Sequence, residues 1–405
     1  MTRPKTPTRL ALAASASLTA LALAGPAVAD EDPIRIGFAI AQSGWMAAYD
    51  AEPFRGAIMR IDQINAEGGL LGRQIEYRVM DTRTDQQLAA TVGQQMVAEG
   101  VDLLVVSCDY DMGAPAALAA SAAGIMNISL CAGDPKMGLQ GVGPFTFTAN
   151  NSGQTEGIAM AEYATREMGI STVYILEDLL LEYHRSAVAG FRAAWLQDRD
   201  EDTILGRDTF MNDDASIAAQ ITRIRALDPQ PEALYMCSVL PGGGSAIRQI
   251  RAAGLDMPIL GCTAMVDNFW LDAVPGLADF WVPGFFSLYG DDPREEIHEF
   301  LAGFEERFGE MPGSSYVING YSMIEAYELA VTRAESTDAP AVAAAMQGFT
   351  DEQFLAGPST YTDQLHILLN RPYLMMTVRD GSFRAVEISR PELIPDMQLL
   401  FRVGQ

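Results

Sequence analysis

The sequence predicts an α/β protein in which parallel β-sheets are covered by helices on both faces. Short apolar runs alternate with segments of helical spacing, and this alternation continues through both halves of the chain. About 376 residues follow a leader-like segment at the N-terminus. Since single hydrophobic cores stop growing at roughly 250–300 residues, we expect two domains.

The first half of the chain is predicted to contain four strands separated by three helices. Pro53 is expected in the first helical turn, where its missing N–H costs nothing. Gly68 and Gly69 are expected to end that helix, and Gly72 to turn the chain into the next strand. The predicted strands are 34–40, 75–80, 103–106 and 125–130, and the predicted helices are 53–65, 86–98 and 114–123.

The second half repeats the pattern, with predicted strands at 172–176, 204–210, 233–237 and 258–261 and predicted helices at 153–168, 183–197, 216–227 and 243–253. Such repetition predicts parallel sheets with right-handed crossovers. Ligands of open α/β sheets bind beyond the carboxyl ends of the strands. The loops that follow strands are therefore the candidate binding loops, at 42–50, 107–113, 131–137, 177–183, 238–244 and 262–268.

The N-terminal segment has the features of a secretory signal peptide. Arg3, Lys5 and Arg9 precede an apolar stretch at 10–24, and Ala27-Val28-Ala29 matches a cleavage site. The apolar stretch is shorter than the roughly 20 residues of a spanning helix, which argues against a membrane anchor. We expect residues 1–29 to be removed and the mature protein to reach the periplasm.

The composition argues against partners that carry negative charge. The net charge is −26, and removal of a leader with three basic and no acidic residues would lower it by three. A surface this acidic repels nucleic acid and anionic lipid. We expect a soluble monomer that does not bind nucleic acid, while the charge of any pocket remains a separate question.

The four cysteines lie near the ends of predicted strands, and export permits disulfides. Three pairings are possible, and the sequence alone does not choose among them. Proximity favours Cys108 with Cys131 and Cys237 with Cys262, and the alternative is four buried thiols. The spacing lacks the CxxC pairs of a zinc site.

Enzyme motifs are poorly supported. His184, His298 and His366 are isolated, without an HExxH pattern. The glycine run at 242–244 lacks the lysine of a phosphate-binding Walker loop, and no GxSxG nucleophile motif is present. We expect no catalysis, no metal and no cofactor.

The segment from Ile64 to Arg73, INAEGGLLGR, closely resembles the helix-end motif of type I periplasmic solute-binding proteins, the leucine/isoleucine/valine-binding group. Ser43-Gly44, Tyr49 and the run Phe54-Arg55-Gly56-Ala57 keep that family's spacing, and weaker similarity covers nearly all of the remaining chain. These motifs are specific to the family but not to a ligand.

The resemblance implies two Rossmann-like lobes joined by a three-segment hinge, with crossings near 150–151, 288 and 369. Lobe 1 is then 30–150 with 289–368, and lobe 2 is 151–288 with 369–405. A small-molecule ligand would bind between the lobes and be delivered to an ABC permease in the inner membrane. The alternative is that the closed protein signals to a chemoreceptor or sensor kinase.

The pocket departs from the family pattern at three positions. Tyr110 and Gly133 stand where a serine and a threonine bind the carboxylate of an amino acid, and Thr263 stands where an acid binds its ammonium. The candidate ligand-binding residues are Trp45, Tyr49, Cys108, Asp109, Tyr110, Cys131, Ala132, Gly133, Tyr183, Thr263 and Tyr316.

Acids and aromatic rings near the pocket leave three ligand classes open: an altered amino acid or amide, an amine or quaternary ammonium compound, and a small aromatic. A branched-chain amino acid is the default that the resemblance implies. Asp111 and Asp134 have the alternative role of helix caps, and Trp195 lies on a predicted helix face that is expected to be core.

Overall fold

The structure is a computed structural model that describes residues 32–403 together with residues 1, 2 and 4. Apart from those three positions, the predicted signal peptide at 1–29 lies outside the described residues. From Pro33 onward the chain is one unit, and it contains two large β-sheets. No helix in the described part of the chain is both long and apolar enough to span a bilayer.

The first sheet has five strands in the order β2-β1-β3-β4-β5, all parallel. Its strands are β1 Ile34–Ile40, β2 Ile75–Asp81, β3 Leu103–Val106, β4 Met126–Ser129 and β5 Thr146–Thr148. Three helices connect the first four strands, namely α1 Ala47–Ala66, α2 Gln86–Ala98 and α3 Tyr110–Ala122.

The second sheet has seven strands in the order β14-β13-β10-β9-β8-β6-β7. Its strands are β6 Val173–Asp178, β7 Ile204–Phe210, β8 Ala233–Tyr235, β9 Ile259–Leu260, β10 Phe280–Gly284, β13 Tyr373–Arg379 and β14 Ser382–Ser389. A short antiparallel pair is formed by β11 Glu352–Phe354 and β12 Gly357–Ser359.

The remaining helices are α4 Gly153–Arg166, α5 Glu182–Trp195, α6 Ala218–Arg225, α7 Gly242–Ala252, α8 Glu295–Phe308, α9 Val317–Ala334, α10 Ala339–Gln347 and α11 Met397–Leu400. Helix α9 packs against α1, and the two backbones approach closely at Gly56 and Gly320. A Cβ atom on Gly320 would lie 1.7 Å from the carbonyl oxygen of Pro53, so this contact requires glycine.

Two expectations about regular structure are wrong. The second sheet is mixed, because β13 pairs antiparallel with both β10 and β14. Strands β13 and β14 are joined by a tight turn at Asp380 and Gly381, which permits their antiparallel pairing without a crossover helix. Helix α1 begins at Ala47, so Pro53 lies inside it. The earlier start buries Tyr49 and Asp50 in the first turns.

Two chain segments run side by side between the sheets. Asn151 forms a parallel bridge with Leu368. The amide of Leu368 donates to the carbonyl of Asn150 at 3.0 Å, and the amide of Ser152 donates to the carbonyl of Leu368 at 2.9 Å. Both segments fall at positions where the sequence predicts chain crossings.

Candidate functional site

A cavity of about 30 Å³ lies where strand-end loops of the first sheet meet those of the second. This volume has room for about two water molecules. The lining residues follow β1, β3, β4 and β5 in the first sheet and β6, β8 and β9 in the second, with one more at the start of α9. They are Met46, Tyr49, Cys108, Asp109, Cys131, Gly133, Asn150, Leu181, Tyr183, Val239, Thr263, Ala264 and Tyr316.

Eight of the eleven candidate residues line this cavity, namely Tyr49, Cys108, Asp109, Cys131, Gly133, Tyr183, Thr263 and Tyr316. Three candidates do not line it. Trp45 lies in a separate groove. Tyr110 is half-buried with the Nζ of Lys136 5.9 Å from its ring centroid. Ala132 is buried, and its amide donates to the hydroxyl of Ser129 at 3.0 Å.

Tyr49 joins α1 to the loops of the second sheet. Its hydroxyl donates to the carbonyl oxygen of Ala264 at 3.0 Å and accepts from the amide of Leu240 at 3.0 Å. The ring packs edge-on against Tyr316, with centroids 5.6 Å apart. Burial raises the pKa of Tyr49 above its ordinary value, so the hydroxyl remains protonated and able to donate.

Glu156, in the first turn of α4, lies behind the cavity wall and is bonded to two of the lining residues. Its Oε1 accepts from the hydroxyl of Tyr183 and from the amide of Thr263, each at 2.7 Å, and its Oε2 accepts from the hydroxyl of Thr263 at 2.8 Å. Burial raises the pKa of Glu156 to about 7, against the lowering effect of these hydrogen bonds. The carboxyl group therefore orders two of the lining residues.

Close packing of α4 on α5 places Glu156 beside Tyr183. A Cβ atom on Gly157 would lie 2.0 Å from the carbonyl oxygen of Ala187, and one on Gly190 would lie 2.0 Å from that of Gln154. Both helices thus require glycine where their backbones touch. The result is a close-packed pair in which the carboxylate of Glu156 reaches the hydroxyl of the lining residue Tyr183.

Asp109 is both the N-cap of α3 and part of the cavity wall. Its Oδ1 accepts from the amide of Met112 at 3.1 Å, and the residue is 4% exposed. Burial, together with the negative charge of Asp111, raises the pKa of Asp109 well above its usual range.

Asp50 lies behind this wall and is fully buried. Its carboxylate accepts from the amides of Ala41 at 2.7 Å and Cys108 at 2.8 Å, and from the hydroxyl of Ser107 at 2.7 Å. Burial raises the pKa of Asp50 to about 6. These bonds fix the loops after β1 and β3.

The interpretation of Asp111 and Asp134 as helix caps is wrong. Helix α3 begins at Tyr110, so the capping position belongs to Asp109 and Asp111 lies in the first turn. Asp111 instead accepts from the amide of Glu182 at 2.9 Å. Asp134 is followed directly by turns rather than by a helix, and its carboxylate accepts from the amide of Lys136 at 2.9 Å.

Asp134 also contacts residues beyond the first sheet. It accepts from the hydroxyl of Ser186 at 2.8 Å and pairs with Arg402 at 3.0 Å. Arg402 in turn pairs with Glu182, which also binds the Nζ of Lys136 at 2.7 Å. These alternating charges connect the loop after β4 to α5 and to the end of the chain.

The four cysteines form two bonded pairs. Cys108 and Cys131 follow the neighbouring strands β3 and β4, with Cα atoms 4.4 Å apart. Cys237 and Cys262 follow the neighbouring strands β8 and β9, with Cα atoms 5.1 Å apart. One pair therefore lies at the strand ends of each sheet, and this pairing is the one that proximity in the sequence favours.

Trp45 lies in an apolar groove of about 380 Å³, which we call the outer groove. Tyr49 stands between the cavity and this groove, since its ring centroid is 6.4 Å from that of Trp45 and 6.5 Å from that of Phe269. The outer groove is lined by Gly44, Trp45, Ala48, Leu240, Pro241, Gly244, Phe269, Trp270 and Ala273.

Among the described residues, one group of three side chains has metal-ligand chemistry. Glu156, Cys237 and Cys262 bring one ligand atom each within 4.8 Å of one another. The two sulfur atoms are bonded to each other, and the carboxylate is bonded to Tyr183 and Thr263. His184 is buried, and burial lowers its pKa to about 4. The bonds of Glu156, Cys237 and Cys262 therefore fit a structural role better than a metal centre.

Sequence reasoning missed five lining residues and the two buried acids behind them. The five are Met46, Asn150, Leu181, Val239 and Ala264. The acids left a detectable signal, because Asp50 lies on the apolar stripe of α1 with Ala57 and Ile61, and Glu156 lies seven positions before the buried Tyr163. A carboxylate on a buried stripe needs polar partners, which marks it as part of a built site.

Comparisons with known proteins agree with this geometry. The periplasmic binding protein family model matches residues 33–382. A Leu/Ile/Val-binding protein homolog 3 of Brucella melitensis is 22% identical over 359 residues, covering 87% of this chain and 92% of the relative.

Two solved structures illustrate the fold. The binding protein LivJ of Streptococcus pneumoniae, in complex with isoleucine, has a TM-score of 0.76 at 22% identity and covers 89% of this chain and 100% of its own. A solute-binding protein of Rhodopseudomonas palustris, in complex with 3,4-dihydroxybenzoic acid, has a TM-score of 0.73 at 18% identity, covering 90% and 99%. The chain therefore belongs to the periplasmic binding protein family and has the type I fold of the leucine/isoleucine/valine-binding proteins.

Proposed function

We propose that this protein captures a small solute in the periplasm and delivers it to an ABC permease of the inner membrane. In this proposal lobe 1 comprises 30–150 and 289–368, and lobe 2 comprises 151–288 and 369–405. The first sheet with α8 to α10 would belong to lobe 1, and the second sheet to lobe 2. The paired segments at Asn151 and Leu368 would act as the hinge.

One observation carries the proposal: the cavity is lined by strand-end loops of both sheets. A molecule held there touches both lobes at once, so its binding favours the state in which the lobes are together. No single-lobe pocket would couple binding to a change that a permease can detect.

The cavity volume of about 30 Å³ adds a mechanical requirement. Pockets for small organic ligands usually enclose roughly 300–1,000 Å³. Entry of an amino acid or an amine therefore requires the lobes to separate, and the Tyr49 bonds to Leu240 and Ala264 must break and re-form. Binding is thus coupled to opening and closure about the hinge.

The remaining parts of the proposal follow from the sequence. The chain would be exported through its signal peptide, act as a monomer and need no cofactor or catalytic group. A branched-chain amino acid is the default expected from the relatives. The acids and tyrosines of the cavity favour an amide, an amine or a small aromatic as alternatives.

Ligand-induced closure tests the proposal directly. The mature protein should be screened by thermal shift against amino acids, amines, amides and aromatic compounds, and each hit should be followed by small-angle X-ray scattering. A cognate ligand at 100 times its Kd is expected to add about 2.7 kcal/mol of stability and to reduce the radius of gyration. Stabilisation without compaction would contradict capture between lobes, and the absence of any response would contradict binding.

A further inference from the structure

We propose that the captured solute is a small amine without a carboxylate group, and that its ammonium is held by Asp109. This inference rests on the proposed capture function and specifies its substrate class. The carrying observation is that the described lining of the cavity contains the carboxylate of Asp109 and no basic side chain, while several amides around it already donate to the chain's own carboxylates.

The cavity wall offers no basic partner to an anionic ligand. None of its thirteen described lining residues is Lys, Arg or His, and Asp109 is the one carboxylate among them. The rings of Tyr49, Tyr183 and Tyr316 complete the wall. Aromatic faces attract cations through their quadrupole, so the acid and the rings favour the same ligand charge.

Helix N-termini are common anion sites, because their free amides and dipole favour negative charge. Three helices begin at this site, and one amide in the first turn of each already has a partner. Met112 in α3 donates to Asp109. Thr155 in α4 donates to the hydroxyl of Ser152 at 3.1 Å. Glu182 at the start of α5 donates to Asp111 of the facing loop.

Loop amides near the cavity are occupied in the same way. The amides of Ala41 and Cys108 donate to Asp50, and the amide of Thr263 donates to Glu156. A ligand carboxylate would find these donors bonded to protein carboxylates. It would also be placed beside Asp109 in a water-poor site, where like charges repel strongly.

The other charged groups close to Asp109 do not favour an anionic ligand either. Burial is the main cause that raises the pKa of Asp109, and the negative charges of Asp111 and Asp134 raise it further. The nearby cations Lys136 and Arg402 are paired with Glu182, and Arg402 also with Asp134. An ammonium beside Asp109 would relieve the repulsion that these acids create.

Matched ligands of similar shape test the inference. Isopentylamine, isovaleramide, isovalerate and leucine present the same branched chain with a cation, a neutral amide, an anion and a zwitterion. Benzylamine, benzamide and benzoate present a cation, a neutral amide and an anion on an aromatic ring. Titration calorimetry at pH 7 is expected to give each amine an affinity at least tenfold higher than its amide and its carboxylate.

The variant Asp109→Asn tests the assigned residue. Asparagine caps helices as well as aspartate, so folding is expected to be retained. Loss of a charge-assisted hydrogen bond is expected to weaken amine binding by about tenfold to a hundredfold, with a much smaller change for the amide. Asp85→Asn is the matched control, because Asp85 caps α2 through Leu88 at 2.7 Å but lies away from the cavity.

The outcomes separate the two proposals. If leucine or benzoate binds more tightly than the amines and compacts the protein, the amine assignment is wrong and the capture function stands. Equal losses for the amine and the amide in Asp109→Asn, or an equal loss in Asp85→Asn, also overturn the assignment. If no compound of either series binds, both the assignment and the capture function are contradicted.

Discussion

The hydroxyl of Tyr49 donates a hydrogen bond to the carbonyl oxygen of Ala264 at 3.0 Å, across a separation of 215 residues in the sequence. The hydroxyl oxygen of Tyr49 also accepts from the amide of Leu240 at 3.0 Å. One side chain of α1 thus satisfies two backbone groups on loops of the second sheet. If the two lobes move as proposed, this contact is the part of the wall that must break.

The variant Tyr49→Phe is therefore expected to favour the open form. The ring is retained, but a buried donor and a buried acceptor on the second sheet lose their partner, which costs about 1–3 kcal/mol per group. The radius of gyration of the ligand-free protein should increase in small-angle scattering, and ligand affinity should fall by about tenfold or more. Tyr361→Phe is the control, because the Tyr361 hydroxyl bonds to Thr148 within the proposed lobe 1. An equal expansion in both variants would contradict this role of Tyr49.

Glu156 is expected to make stability decline as the pH rises. Burial raises its pKa from 4.5 to about 7, so between these values the folded state binds more protons than the unfolded state. The stabilising contribution is complete below about pH 4.5 and is lost as the pH rises through about 7. Urea unfolding at pH 5 and pH 8 measures this difference.

The variant Glu156→Gln isolates that effect. Removal of the ionisable group should make the variant more stable than the wild type at pH 8 by about 1–3 kcal/mol, with little gain at pH 5. Asp50 and Asp267 are unchanged in this variant, and burial raises their pKa values to about 6 and about 7. Part of the decline in stability with rising pH should therefore persist. An unchanged difference between pH 5 and pH 8 would show that the Glu156 carboxyl does not titrate in this window.

Trp45 and Trp195 are expected to respond oppositely to truncation. Trp45 lines the outer groove and packs against Tyr49, so Trp45→Ala should weaken ligand binding several-fold with a small effect on stability. Trp195 is fully buried and stacks on Phe191, so Trp195→Ala should lower the free energy of unfolding by about 3–5 kcal/mol and leave affinity nearly unchanged. Calorimetry and urea unfolding of both variants provide the comparison, and a larger loss of affinity in Trp195→Ala would show that Trp45 does not support Tyr49 at the cavity wall.

The two cysteine pairs are expected to stabilise the strand-end loops. They close segments with separations of 23 and 25 residues, for which loop-closure entropy predicts about 3 kcal/mol each. Replacement of either pair by serine should therefore lower Tm by several degrees. Alkylation followed by mass spectrometry of the periplasmic protein should find no free thiol. Full alkylation before reduction would show instead that the cysteines are thiols.

Local sequence signals placed most of the elements correctly. Strands β1, β3 and β7 and helix α2 have the predicted bounds, since apolar periodicity and glycine turns act within a few residues of the chain. Strands β13 and β14 were missed, although Tyr373–Met376 is an apolar run. Their place beside β10 depends on pairing with a strand about 90 residues earlier, which no local pattern encodes.

The sequence identifies the strand-end loops because parallel sheets place them at one edge. Seven of the eight candidate residues that line the cavity come from those loops, and Tyr316 comes from the family resemblance. Which side chains face the cavity depended on packing. Trp45 lies outside it because Tyr49 stands between, and Tyr110 begins α3 so that Asp109 faces the cavity in its place.

The sequence by itself determined the alternation of strands and helices, the loops that follow them and the resemblance to one family, because these are properties of short segments. Only the tertiary structure decided that Glu156 orders Thr263 from 107 residues away and that Tyr49 links the two sheets. Such contacts depend on the close approach of whole helices, set at Gly157 and Gly190 by backbone contact, and no local periodicity specifies where distant backbones touch.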